Sequence, residues 1–198
     1  MSARQIFGSL ALAGVLLTGV AACSDKPADK PQPSTSGAGD EANVGAAPAD
    51  LLNIGLAQGK AGKFNAAQAT FEKVLAADAD NKFAWFNLGF IAQSRGRADE
   101  AISDYDKALA ADATYKPALF NKAIALEGTA PATSMGIYRR VVSIDDKSST
   151  AYLRLGMLLL KSGDDAQARE AFSSAIRLDE KLASAVPARY RLTTSANR

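Results

Sequence analysis

The chain has 198 residues, 47% hydrophobic and 22% charged, with a formal net charge of +2. That is a globular composition with length enough for one sizeable core, and its near-neutral charge gives no electrostatic basis for a nucleic-acid partner or an acidic substrate. Histidine is absent and Cys23 is the only cysteine. An intrachain disulfide is thereby excluded, and the commonest general base and metal ligand are missing, so the expectation is a non-enzymatic chain without a cofactor.

Residues 1–22 come first. Arg4 precedes an apolar run from Ile6 to about Val20, interrupted only by small residues. This is the charged and hydrophobic layout of an export signal, and the run is short for a membrane span of about 20 apolar residues. It ends in Val20-Ala21-Ala22-Cys23. Those four residues resemble a bacterial lipoprotein lipobox, in which small residues precede a cysteine that is lipidated and becomes the new N-terminus. The resemblance implies lipid on Cys23, a membrane anchor through that lipid, and a place on the extracytoplasmic side of a bacterial cell envelope, periplasmic or at the cell surface. An ordinary signal or an uncleaved anchor with an incidental cysteine is the other reading. Either one exports the chain.

After Cys23, residues 24–47 are dominated by Pro, Gly, Ser, Ala and Asp, with Val44 the only large aliphatic. Such a stretch cannot bury enough apolar surface to fold. The expectation for 23–47 is a disordered linker, spanning roughly 25–30 Å as a flexible coil.

From residue 48 onward one period governs the sequence. Gly55, Gly89, Ala123 and Gly156 recur at a nearly constant interval, which shortens by a single position in the third unit. Phe71, Tyr105, Tyr138 and Phe172 follow a matching rhythm, as do Leu51, Trp85, Leu119 and Tyr152. Gly62, Gly96 and Gly163 mark a turn within the unit. Each unit offers two amphipathic segments around that turn, and one unit cannot bury its faces alone, so stability comes from stacking.

This pattern resembles the tetratricopeptide repeat, written W-x2-L-G-x2-Y followed by A-x3-F within a unit of about 34 residues. The second unit has Trp85, Leu88, Gly89, Ala101 and Tyr105, and the fourth has Tyr152, Leu155, Gly156, Ala168 and Phe172. The third departs most, with Ala123 and Ser134 at the small positions and one residue missing near its internal turn. The proline usual near the repeat end is replaced by Ala79, Ala113, Asp146 and Glu180. The resemblance implies an all-α superhelical solenoid of four helix-turn-helix repeats (48–81, 82–115, 116–148 and 149–182). Residues 183–198 are expected to form a capping helix and tail, with the short helix over 183–194 and Pro187 in its first turn.

The first helix of the second unit carries two apolar faces. At 100° per residue, Trp85, Leu88, Gly89 and Ala92 share one arc, which is the core face, with Trp85 expected to be mostly buried. Phe83, Phe86 and Phe90 share a different arc, and Asn87 adjoins it. This second face recurs as Leu52, Phe120 and Leu153, and as Leu56, Ile124 and Met157. Asn87 recurs as Asn53, Asn121 and Arg154. In tetratricopeptide repeats this side lines the inner, concave surface, and an asparagine there resembles the ladder with which some members grip an extended peptide backbone. An amide presents donor and acceptor side by side, matching one peptide unit. The alternative is that these amides cap or bridge neighbouring helices. The carboxylate clamp of chaperone-binding members does not fit, since Leu52, Leu56 and Pro117 stand where its polar residues belong and Asn87 alone matches.

The functional expectation is an exported, lipid-anchored adaptor that holds an extended segment of a protein partner in this groove, in envelope or pilus assembly. Self-association into a homo-oligomeric scaffold is the alternative. Asp145-Asp146 and Asp164-Asp165 are expected to serve turns and helix N-termini rather than a metal.

Overall fold

The computed structural model describes residues 47–191. The signal segment, Cys23, the linker up to residue 46 and the tail from Leu192 lie outside the described residues. Eight α-helices follow one another: α1 Pro48–Lys60, α2 Phe64–Ala77, α3 Lys82–Ser94, α4 Ala98–Ala111, α5 Lys116–Leu126, α6 Pro131–Ile144, α7 Ser149–Lys161 and α8 Asp165–Leu178. Consecutive helices pair, and each pair packs on the next. The fold is an all-α solenoid of helix-turn-helix repeats.

Local chemistry fixes where the helices start and stop. Gly62, Gly96 and Gly163 close α1, α3 and α7 with φ of 72°, 73° and 84°, a conformation that a Cβ disfavours. Asn81 caps α3 by accepting from the Ala84 amide at 3.0 Å, and Asp164 caps α8 by accepting from the Gln167 amide at 3.0 Å. Asp78, Asp112, Asp145 and Asp179 end the second helix of the four repeats. The last three accept backbone amides two positions on, at 2.9, 3.1 and 3.1 Å, and so turn the chain into the next element. Asp145 and Asp164 thus do the turn and capping work expected of them. The third repeat differs as its sequence does: α5 stops at Leu126 and Pro131 opens α6, with no left-handed glycine between them.

The core runs between paired helices. Phe71, Tyr105, Tyr138 and Phe172 are buried, each against the small residue of its own repeat. A Cβ built on Gly89 would lie 2.7 Å from Tyr105 Cε1 and 3.1 Å from the Ala101 carbonyl oxygen. A Cβ built on Gly55 or Gly156 would lie equally close to Phe71 or Phe172, at 2.6 and 2.7 Å. The third repeat has Ala123 there, and Ser134 Oγ, fully buried, donates to the Ala123 carbonyl at 2.7 Å.

One expectation is corrected. The end of the solenoid is closed by two 3-10 turns, Glu180–Ser184 and Ala188–Tyr190, rather than by one helix over 183–194. Pro187 is the reason: its ψ of 139° is extended, so it separates the turns instead of starting a helix. The turns still seal the last repeat, because Val186 and Tyr190 are buried, Tyr190 lies 5.2 Å from the Phe172 ring, and its hydroxyl donates to Asp165 at 2.6 Å. Trp85 is mostly buried, as expected, though not fully enclosed. It sits at the seam of the first two repeats, touching the cores of both, and its indole donates to the Ala79 carbonyl at 2.7 Å.

Candidate functional site

The second face of the first helices is partly exposed along the described chain. Leu52 and Leu56 on α1 are half-buried against the first core, and Phe120, Ile124, Leu153 and Met157 are half-buried against the last one. On α3, Phe86 and Phe90 are half-buried while Phe83 keeps 44% of its surface in solvent. For residues of this size that is apolar area without a partner in the described fold.

The aromatic part is held rigid. Tyr115, from the end of the second repeat, meets Phe83 and Phe86 edge-on at 5.7 and 5.6 Å, a favoured quadrupole geometry. Lys82 Nζ lies over the Phe83 and Tyr115 rings at 5.2 and 5.3 Å and bonds Asp112 at 2.6 Å. Burial, then the Asp112 charge, pushes the Tyr115 hydroxyl up to about 12, so it stays protonated. Asp112 is drawn down to about 2, first by Lys82 and then by the Thr114 hydroxyl and amide.

The four polar residues of the face have different partners. Asn53 is exposed and makes no side-chain hydrogen bond among the described residues. Asn87 donates through Nδ2 to the Phe83 carbonyl of its own helix at 2.7 Å, and its Oδ1 accepts nothing among the described residues. Asn121 is half-buried beside the Tyr105 hydroxyl, which donates to Gln93 Oε1 at 2.6 Å. Arg154 bonds Glu127 Oε1 at 2.8 Å, and that oxygen also accepts from the Tyr138 hydroxyl at 2.7 Å. The Arg154 guanidinium lies 5.9 Å from the Phe120 ring. The Arg154 group is a bridge at a repeat junction, built from Glu127 of the first helix, Tyr138 of the second and Arg154 of the next first helix.

Gln93, Tyr115 and Glu127 thus belong to the site, and the sequence reading did not include them. The signal was present, because Gln93 and Glu127 occupy the same phase of successive repeats, and each precedes a tyrosine that replaces the phenylalanine of the outer repeats. Among the described residues no group of three His, Cys, Asp or Glu side chains could hold a metal, and no helix is long and apolar enough to cross a membrane.

Comparison with known proteins agrees with the architecture. Tetratricopeptide-repeat family profiles match residues 52–116 and 149–182. A crystal structure of MamA is similar with a TM-score of 0.63 at 22% identity, over 69% of this chain and 81% of that one. A second MamA structure gives 0.64 at 23% identity, over 70% and 76%. PilF of Pseudomonas aeruginosa gives 0.62 at 24% identity, over 69% of this chain and 63% of that one. No match is found among curated protein sequences. At these identities the structural likeness concerns the fold.

Proposed function

The chain belongs to the tetratricopeptide-repeat family, and we propose that this interaction scaffold is exported, held at a membrane by lipid on Cys23, and grips an extended segment of a protein partner along the second face of its first helices. The observation that carries the reading is the α3 surface: a rigid aromatic ledge, with Phe83 44% exposed, beside an Asn87 side-chain carbonyl that accepts nothing among the described residues. Leucine and phenylalanine side chains supply contact area, and Asn53 and Asn87 supply backbone recognition. Asn121 and Arg154 keep the repeats in register. A place in envelope or pilus assembly rests on the signal-like N-terminus and the linker behind it.

The test uses a partner segment captured by crosslinking in the native cell and titrated into single alanine variants. Asn87→Ala and Phe86→Ala weaken binding by about 1–3 kcal/mol, or roughly 5- to 150-fold, and leave the melt near that of the parent. Asn121→Ala lowers the melting temperature with little change in affinity. Unaltered binding by a variant with Asn53, Asn87 and Phe86 all changed to alanine defeats the groove. The anchor is tested separately: Cys23→Ser releases the chain from membranes or leaves it unprocessed, and an unmodified Cys23 in membrane-bound mature protein defeats the lipid.

Self-association is favoured by one observation of its own. Ile54 is 37% exposed, while its equivalents Leu88 and Leu155 are buried under the preceding repeat. A rise in mass with concentration in light scattering, abolished by Ile54→Lys, identifies that end as the contact.

A further inference from the structure

A cleft of about 410 Å³ opens between α2 and α4, with α3 as its floor. It shares no lining residue with the groove. Glu72 comes from α2, the Trp85 and Leu88 side chains form the floor, and Glu100, Asp104 and Lys107 come from α4. Asp104 is the anomaly. Its side chain is only 9% exposed, and among the described residues its one hydrogen bond is from Lys107 Nζ to Oδ1, at 3.0 Å. Burial holds its carboxyl above the usual carboxylate range against the opposing pull of Lys107.

Repeat stacking does not require these charges. A cleft of about 200 Å³ recurs two repeats later, where Tyr152, Gln167, Ala171 and Ser174 stand in place of Trp85, Glu100, Asp104 and Lys107. Alanine fills the Asp104 position there and is equally buried, at 6%. The later cleft keeps one acid, Glu170, at another position, so the Glu100, Asp104 and Lys107 charges and the indole are particular to the second repeat.

The cleft already holds a cation of its own. Lys107 Nζ lies 4.0 Å from the centre of the Trp85 ring while it bonds Asp104, and its side chain is 47% exposed. The indole is fixed in place by its bond to Ala79. Arg97 bonds Glu100 at 2.6 Å on the exposed rim, and Glu72 accepts only from the Gln68 amide among the described residues. Three carboxylates and an aromatic face thus surround one half-exposed ammonium in a space large enough for a second side chain.

We propose that this cleft receives an arginine side chain from a basic segment of a protein partner, stacked on Trp85 and bonded to Asp104 and Glu72, with Lys107 swinging aside into solvent. Arginine fits better than lysine because its planar guanidinium both stacks on an indole and forks onto carboxylates, and sheds water more readily than an ammonium.

Trp85 is the only tryptophan of the chain, so its fluorescence reports this cleft directly. The experiment titrates the full chain in detergent with hexa-arginine, hexa-lysine and hexa-glutamate peptides. Hexa-arginine should shift the emission saturably, hexa-lysine more weakly, and hexa-glutamate not at all. Glu72→Gln with Glu100→Gln, both on exposed positions, should weaken hexa-arginine by about fivefold or more, the size of one charge pair. Lys107→Met keeps the stem, removes the competing charge, and should tighten binding. Phe86→Ala in the groove should leave this binding unchanged. No emission shift with hexa-arginine, equal affinity for hexa-lysine, full affinity in the double glutamine variant, or loss in Phe86→Ala each overturns the assignment. Circular dichroism of each variant establishes that it is folded before it is scored.

Discussion

At the scale of single residues, the aromatic of one repeat decides what the polar residue of the next can do. Asn87, Asn121 and Arg154 follow the second-helix aromatics Phe71, Tyr105 and Tyr138 at one fixed spacing. Tyrosine offers a hydroxyl: that of Tyr138 shares Glu127 with Arg154 in a bridge, and that of Tyr105 lies beside Asn121. Phenylalanine offers none, so Asn87 turns back on its own helix and keeps an acceptor free. The repeat period marked all four positions as equivalent, but equivalence in phase is not equivalence in bonding, which depends on a neighbour half a repeat away. The glycines were readable for a simpler reason: they answer to one contact. Gly89→Ala puts a methyl group 2.7 Å from Tyr105 and 3.1 Å from a backbone carbonyl that cannot swing away. The expected loss is about 1–3 kcal/mol in urea unfolding. A loss under about 0.5 kcal/mol would match a surface substitution and place Tyr105 elsewhere.

At the scale of elements, α3 shows why a two-faced helix is hard to read from its pattern. Leu88, Gly89, Ile91 and Ala92 are buried, as a helical stripe requires. Trp85 falls on the same stripe and is mostly buried, but it also lines the open cleft between α2 and α4 and so is less enclosed than its neighbours. The helical period gives a residue's direction on its own helix, and says nothing of how closely the flanking helices approach each other. The cap departs differently: Pro187, expected in the first turn of a helix, has an extended ψ and separates two short turns. Trp85→Ala is therefore expected to cost about 1.5–3 kcal/mol, the value of a substantial but incomplete burial, and not the roughly 3–5 kcal/mol of a fully enclosed aromatic. Urea unfolding compared with Phe71→Ala, whose ring is 1% exposed and belongs in the higher range, distinguishes the two. Equal losses would mean that the seam is closed in solution.

At the scale of the whole described solenoid, tyrosine hydroxyls tie together the paired helices of the second and third repeats, and they make stability depend on pH at the alkaline end. Tyr105 and Tyr138 are fully buried, and burial raises both well above the ordinary phenol, with Glu127 adding to the effect at Tyr138. Tyr115 is pushed up to about 12. The unfolded chain releases these protons near pH 10. A group held higher in the folded state stabilises fully below its unfolded value and loses that contribution as pH rises toward its folded value. Above about pH 10, each buried tyrosine that keeps its proton weakens the fold by about 1.4 kcal/mol per pH unit. Two such residues exhaust a typical stability of about 5–15 kcal/mol within a few units. The expected outcome is cooperative alkaline unfolding, with helical circular dichroism falling in step with the tyrosinate absorbance of these residues. Tyr105→Phe combined with Tyr138→Phe should flatten the pH dependence, at the cost of the Gln93 and Glu127 bridges, and so give a protein less stable at pH 7 but less sensitive above pH 10. Ionisation of Tyr105 and Tyr138 near pH 10, read as the absorbance missing from the double phenylalanine variant, with helicity intact would place both hydroxyls in water.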